Sequence, residues 1–173
     1  KKFMEEAIEN QVLPLDDRLL ERLVPSVAGR PTLLGDRTSI DLYPYAWNLV
    51  EDSIINVKNV SNSVTAFVDV KGGNEDGVIF SQGGRFGGWS LYVENNRSSY
   101  AYNYMGELFT FTSNKPLPAG KSEIRFELDY DGGGVGKGAD VRMKLNGQVV
   151  AEGRLEKTIA SRFSIDEGAD VGL

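Results

Sequence analysis

The stretch Val78-Ile79-Phe80-Ser81-Gln82-Gly83-Gly84-Arg85-Phe86-Gly87-Gly88-Trp89-Ser90-Leu91-Tyr92-Val93 decides the fold. Two alternating apolar runs flank a six-residue loop that holds four glycines. Alternation at period two means strands with one buried face. The glycines permit positive φ and close approach of backbones, so the stretch predicts a hairpin with Arg85 and Phe86 on its loop.

Downstream the same grammar repeats. Ser63–Val70 puts Val64, Ala66, Val68 and Val70 on one face. Ser98–Met105 puts Tyr100, Tyr102 and Tyr104 on one face, and Leu108–Thr112 sets Phe109 and Phe111 against threonines. Lys121–Tyr130 is the cleanest strand, with Ile124, Phe126, Leu128 and Tyr130 on its core side. Ala139–Leu145 and Gln148–Leu155 meet at Asn146-Gly147, a strong type I′ turn signal. Ser53–Val57 is expected to be a short strand, Ser39–Tyr43 an edge strand, and Phe163 with Ile165 a last strand. About ten strands with tight turns between them predict two packed antiparallel sheets. The expected fold is a mainly β, jelly-roll-like sandwich of the concanavalin or laminin-G kind, with short N-terminal helices.

Upstream of the strands, Lys1–Gln11 reads as a helix. Phe3/Ala7 and Met4/Ile8 are i,i+4 apolar pairs, with Glu5, Glu6 and Glu9 beside them. Pro14 ends it, and Asp16 or Asp17 caps a second short helix over Arg18–Leu23. Val24–Asp52 is an irregular connection whose bulky Tyr43, Tyr45 and Trp47 suit a segment lying on a surface. The expected division is a helical segment 1–24, a wrapped connection 25–52 and a sandwich 53–173.

The 173 residues suffice for one sizeable core. A net charge of −6 argues against a nucleic-acid partner. No apolar run approaches the roughly 18 residues of a membrane span. There is no histidine and no cysteine. Serine–histidine and thiol nucleophiles, disulfides and most structural zinc sites are thereby removed.

Several groups invite a chemical reading. Gly132–Gly138 superficially suggests a phosphate loop, but Asp131 and Gly138 stand where the motif needs Gly and Ser or Thr, and strands flank it. Glu123, Arg125, Glu127 and Asp129 share the outer face of one strand, about 7 Å between neighbours. Glu127 with Asp129 thus has the spacing of a glycosidase pair, or of a solvated face paired with Arg142, Lys144 or Arg154. Asp129, Asp131 and Asp140, or Asp166, Glu167 and Asp170, offer oxygen to calcium without EF-hand spacing. Asn59-Val60-Ser61 and Asn96-Arg97-Ser98 match the glycosylation sequon. Arg85, Phe86, Trp89, Tyr92 and Tyr102 form a candidate binding set, aromatic faces for sugar rings and a guanidinium for an anion. The same aromatics equally suit a sheet core.

Five stretches carry a resemblance: Asn10–Arg18, Gly35–Ser39, Gln82–Tyr92, Tyr130–Gly138 and Ala151–Glu156. In this order they resemble the C-terminal region of bacterial arylsulfatases. In that family a larger α/β domain comes first and carries a formylglycine made from Cys-x-Pro-x-Arg or Ser-x-Pro-x-Arg, with calcium and histidines beside it. Neither the pentapeptide nor any histidine occurs here. The resemblance therefore implies a non-catalytic accessory domain, with calcium and formylglycine confined to the parent enzyme. It implies the catalytic domain of the same polypeptide as partner and a sulfated glycan or aryl sulfate as the parent's substrate; if the domain also shapes the substrate cleft, Arg85 on the glycine loop is the residue expected to do so. The alternative is an independent carbohydrate-binding module.

Overall fold

The computed structural model describes residues 1–15, 28–29, 33–72 and 75–172. The chain forms two compact units, Lys1–Arg30 and Pro31–Leu173. In the first, helix α1 spans Lys2–Glu9. Asn10 ends it by donating its side-chain amide to the Glu6 carbonyl at 2.9 Å, and Gln11 turns the chain with φ 55°. Ala7 is buried, whereas Phe3, Met4 and Ile8 are exposed. The helix expected over Arg18–Leu23 lies outside the described residues.

The described residues of the second unit form an antiparallel sandwich of nine strands: β1 Asn62–Val70, β2 Gly77–Gly83, β3 Gly87–Glu94, β4 Arg97–Tyr104, β5 Glu107–Thr112, β6 Gly120–Tyr130, β7 Ala139–Leu145, β8 Gln148–Leu155 and β9 Ala169–Val171. One sheet runs β1-β6-β7-β8 and the other β5-β4-β3-β2-β9. Their inner faces supply the core, as period-two patterning requires. Leu91, Tyr100 and Trp89 from the five-stranded sheet meet Ile124, Phe126, Met143 and Leu155 from the four-stranded one. Tyr100 stacks on Phe126 with ring centroids 3.6 Å apart. The indole N–H of Trp89 donates to Gln82 at 3.0 Å, so the buried amide and indole satisfy each other.

Turn chemistry explains the hairpins. Asn146 and Gly147 have φ 48° and 80°, the paired positive values of a type I′ turn. Asn95-Asn96 (51°, 57°) and Met105-Gly106 (53°, 95°) make the same turn without the Asn-Gly signature.

Three expected strands are absent. Ser39–Tyr43 is not a strand; the chain turns at Pro44 and at Tyr45 and Asn48, both with positive φ, and meets β9 beyond the expected strand, through Tyr45 N to Val171 O, Val171 N to Ala46 O and the bridge Leu49–Ala169. Ser53–Val57 begins in a 3₁₀ turn over Glu51–Ser53 and continues unpaired. Phe163 and Ile165 are not a strand either. The Phe163 N–H is taken by the Glu51 carboxylate at 3.0 Å, and the Ser164 hydroxyl accepts the N–H groups of Asp166 and Glu167, which winds a turn.

The outer face of the four-stranded sheet is charged and internally paired. Arg125 reaches Thr65, Ser63 and Glu127; Lys144 joins Glu127; Arg142 pairs with Glu152; Arg154 pairs with Asp131 and Asp140.

Candidate functional site

The glycine loop between β2 and β3 is held by its own backbone and by its neighbours. Gly84 N donates to Gly87 O at 2.9 Å, and Gly83 N to Gly168 O at 3.0 Å. Gly83 has φ 75°, and a Cβ there would lie 2.8 Å from that of Phe163. A Cβ on Gly84 would overlap the Glu167 carboxylate. Gly83 needs glycine for space as much as for φ, whereas at Gly84 the flexible end of Glu167 could give way.

Asn103 on β4 is the main fastening. Its side-chain amide donates to the carbonyls of Gly84 and Arg85, both at 2.8 Å. Its oxygen accepts the Gly106 N–H at 2.8 Å. One side chain therefore ties the β2–β3 loop to the β4–β5 turn, and the register Gly87–Tyr104–Glu107 puts both at the same end of the sheet. The result is a lip bearing Arg85, Phe86, Met105 and Leu108, of which Phe86 is 75 % and Met105 73 % exposed. Arg97, Arg125, Arg142, Arg154 and Arg162 each hold a carbonyl or carboxylate. Arg85 has none among the described residues; its guanidinium lies 5.9 Å from the centre of the Phe86 ring.

The five candidates of the sequence do not converge. Arg85 and Phe86 stand on the exposed lip. Tyr92 lies on the outer face, half-exposed, opposite Ser99 and Val78. Trp89 and Tyr102 are buried in the core. The Tyr102 hydroxyl accepts the Ile159 N–H at 2.7 Å, and burial pushes its pKa well up.

Glu127, Asp131 and Asp140 are engaged as structure. Hydrogen bonds from Lys144 and Arg125 hold the Glu127 pKa below its ordinary value, the reverse of what a general acid needs. Arg154 sits between Asp131 and Asp140 and likewise lowers the Asp131 pKa, filling with a guanidinium the place a cation would take. Among the described residues no three His, Cys, Asp or Glu side chains are placed to hold a metal. In the loop Gly132–Gly138, the Gly136 N–H goes to Asn59 and the Lys137 N–H to the Tyr130 hydroxyl, so those amides are not offered to a phosphate. Both sequon asparagines are tied down by their amide nitrogens, Asn59 to Ala160 O and Asn96 to Leu117 O.

Sequence reasoning missed three features. Asn103 carried no local signal, since its partners lie 18 and 19 residues away. The buried pair Lys58–Glu51, with Lys58 Nζ 5.1 Å from the Phe163 ring centre, closes one end of the sandwich. Beside it lies a cavity of about 10 Å³ lined by Lys58, Asn59, Tyr102, Tyr130 and Thr158, room for a single water. Third, Tyr43, Tyr45 and Trp47 are more than 70 % exposed, although bulk at these positions suggested burial on a surface. No protein-family model matches the chain, and no curated protein matches it.

Proposed function

We propose that this chain is a non-catalytic accessory β-sandwich of a sulfatase, one that packs against the catalytic domain and shapes access to a sulfate-ester substrate. The resemblance supplies the enzyme class. The observation that carries the docking role is the set of large apolar side chains left exposed around the five-stranded sheet: Tyr43, Tyr45, Trp47, Phe86, Met105 and Leu108. They form two groups, Phe86, Met105 and Leu108 on the lip and Tyr43, Tyr45 and Trp47 in the segment beside β9, and exposed apolar groups are usual where a surface meets another protein or a ligand. The chain holds neither the formylglycine pentapeptide nor a histidine, and its described carboxylates do not gather around a metal. Neither formylglycine nor calcium is placed on these residues, and no chemical step is assigned to them.

The intact mass of the native gene product tests the assignment. A chain well above 19.0 kDa, with Cys-x-Pro-x-Arg or Ser-x-Pro-x-Arg upstream, is the expected result. A native chain of the present length overturns it. Within such an enzyme, Arg85→Ala is expected to raise KM for a bulky sulfated substrate several-fold more than for a small aryl sulfate. Equal, negligible changes on both remove the role of Arg85.

One observation favours the second reading, a carbohydrate-binding module. Tyr43, Tyr45 and Trp47 present exposed aromatic faces, and Tyr45 does so from a backbone with φ 70°, costly for a bulky residue. Trp47→Ala, rather than a change at buried Trp89, is the variant with which to test it by glycan titration.

A further inference from the structure

The sandwich has four sheet edges, and three are guarded. β9 has only three residues and is bridged by Leu49. β5 is six residues long, and its Phe111 ring lies against Gly153 of β8, so these two edges cover one another. The register between β7 and β8 is broken by a bulge. Short strands, bulges and coverage are the devices that keep edges from pairing.

β1 has none of them. Its nine residues pair with β6 in an unbroken register from Asn62–Leu128 to Val70–Gly120. The strand contains no lysine, arginine or proline. Among the described residues no backbone group bonds to its outer edge. Val64, Ala66 and Val68 face the core yet stay half-exposed, and Phe67 on the outer face is 80 % exposed.

The strand is also complementary to itself. Placed antiparallel about Ala66, each Val64 meets Val68 of the second copy and each Thr65 meets Phe67, an aromatic–β-branched pair of the kind that stabilises sheets. Ser63 meets Asp69. Asp69 faces Lys121 across β6 with no ion pair between them, whereas Arg125 already spans Ser63 and Thr65 at 3.0 and 2.8 Å. The second copy's Asp69 is thus delivered beside a guanidinium, twice, with no like charges opposed.

We propose that β1 pairs with β1 of a second copy across a twofold axis, joining two four-stranded sheets into one of eight. The contact is isologous, so it closes at a dimer. A single strand pair buries less than the about 1,200–2,000 Å² of a standard interface, so the dimer is reversible on dilution. This is independent of the sulfatase reading and stands or falls separately from it.

The test is the mass of the full chain in solution between about 1 µM and about 1 mM, the range of weak interfaces. The expected mass rises from 19.0 kDa toward twice that value. A chain carrying Thr65→Lys and Phe67→Lys, and one carrying Thr65→Glu and Phe67→Glu, are each expected to remain monomeric, and an equimolar mixture to recover the dimer. Amide exchange in the unaltered chain provides the readout that needs no variant: protection grows with concentration at alternating amides of β1. Constant mass at 19.0 kDa, association that ignores both double variants, or protection that grows elsewhere and not in β1 overturns the proposal.

Discussion

Tyr100 and Tyr102 sit two residues apart on β4 and both point inward, but their hydroxyls differ in what they do. That of Tyr102 accepts the buried Ile159 N–H. That of Tyr100 has no hydrogen-bond partner among the described residues, while its ring stacks on Phe126. Leaving a buried N–H unpaired costs about 1–3 kcal/mol, whereas removing a hydroxyl that pairs with nothing is close to neutral. Tyr102→Phe is therefore expected to destabilise the chain by about 1–3 kcal/mol, and Tyr100→Phe by about 0.5 kcal/mol or less. Urea unfolding of both variants checks this; equal losses would remove the distinction. Period-two patterning put both tyrosines on one face. It could not say which hydroxyl has a partner, because Ile159 lies 57 residues from Tyr102.

At the scale of elements, two hairpins are coupled through Asn103. Neither the glycine loop nor the Met105-Gly106 turn is long, but each alone would be free to move with its own hairpin. The amide of Asn103 bonds to both, so they are expected to order as one lip. Asn103→Ala removes all three bonds at once while leaving β3 and β4 paired through their backbones. Amide exchange at Gly106, whose N–H bonds to Asn103, is expected to accelerate about tenfold or more, the equivalent of losing one hydrogen bond of about 1.4 kcal/mol. Exchange inside β6, on the other sheet, should not change. No acceleration at Gly106 would show that the turn holds without Asn103. The hairpins themselves were legible, since alternation and Asn146-Gly147 mark them directly. The lip was not, because the sequence shows Arg85 and Phe86 on a loop without showing what fastens that loop.

At the scale of the whole molecule, the outer face of the four-stranded sheet carries a network of ion pairs that contributes to its response to acid. Lys144 and Arg125 lower the Glu127 pKa from its ordinary 4.5. A depressed folded-state pKa contributes stability that is present above the unfolded value and is lost as pH falls through the folded one. Glu127→Gln is thus expected to flatten the decline of stability below about pH 5 and to cost about 1 kcal/mol or less at pH 7, since the pair is partly solvated. Melting temperatures of the two chains between pH 3 and 7 check this, and parallel curves would count against it. The sandwich class was determined by the sequence itself: alternation at period two is a local consequence of one buried face, and it survives whatever the neighbours are. Local pattern failed where long-range partners prevailed. Ser53–Val57 and Phe163–Ile165 have the composition of strands, but Glu51 takes the Phe163 N–H and Ser164 winds the chain into a turn. Which aromatics face solvent was decided only in three dimensions. Trp89 and Tyr102 lie under the opposite sheet while Tyr43, Tyr45 and Trp47 do not, because burial depends on what is packed against a residue and not on the residue alone.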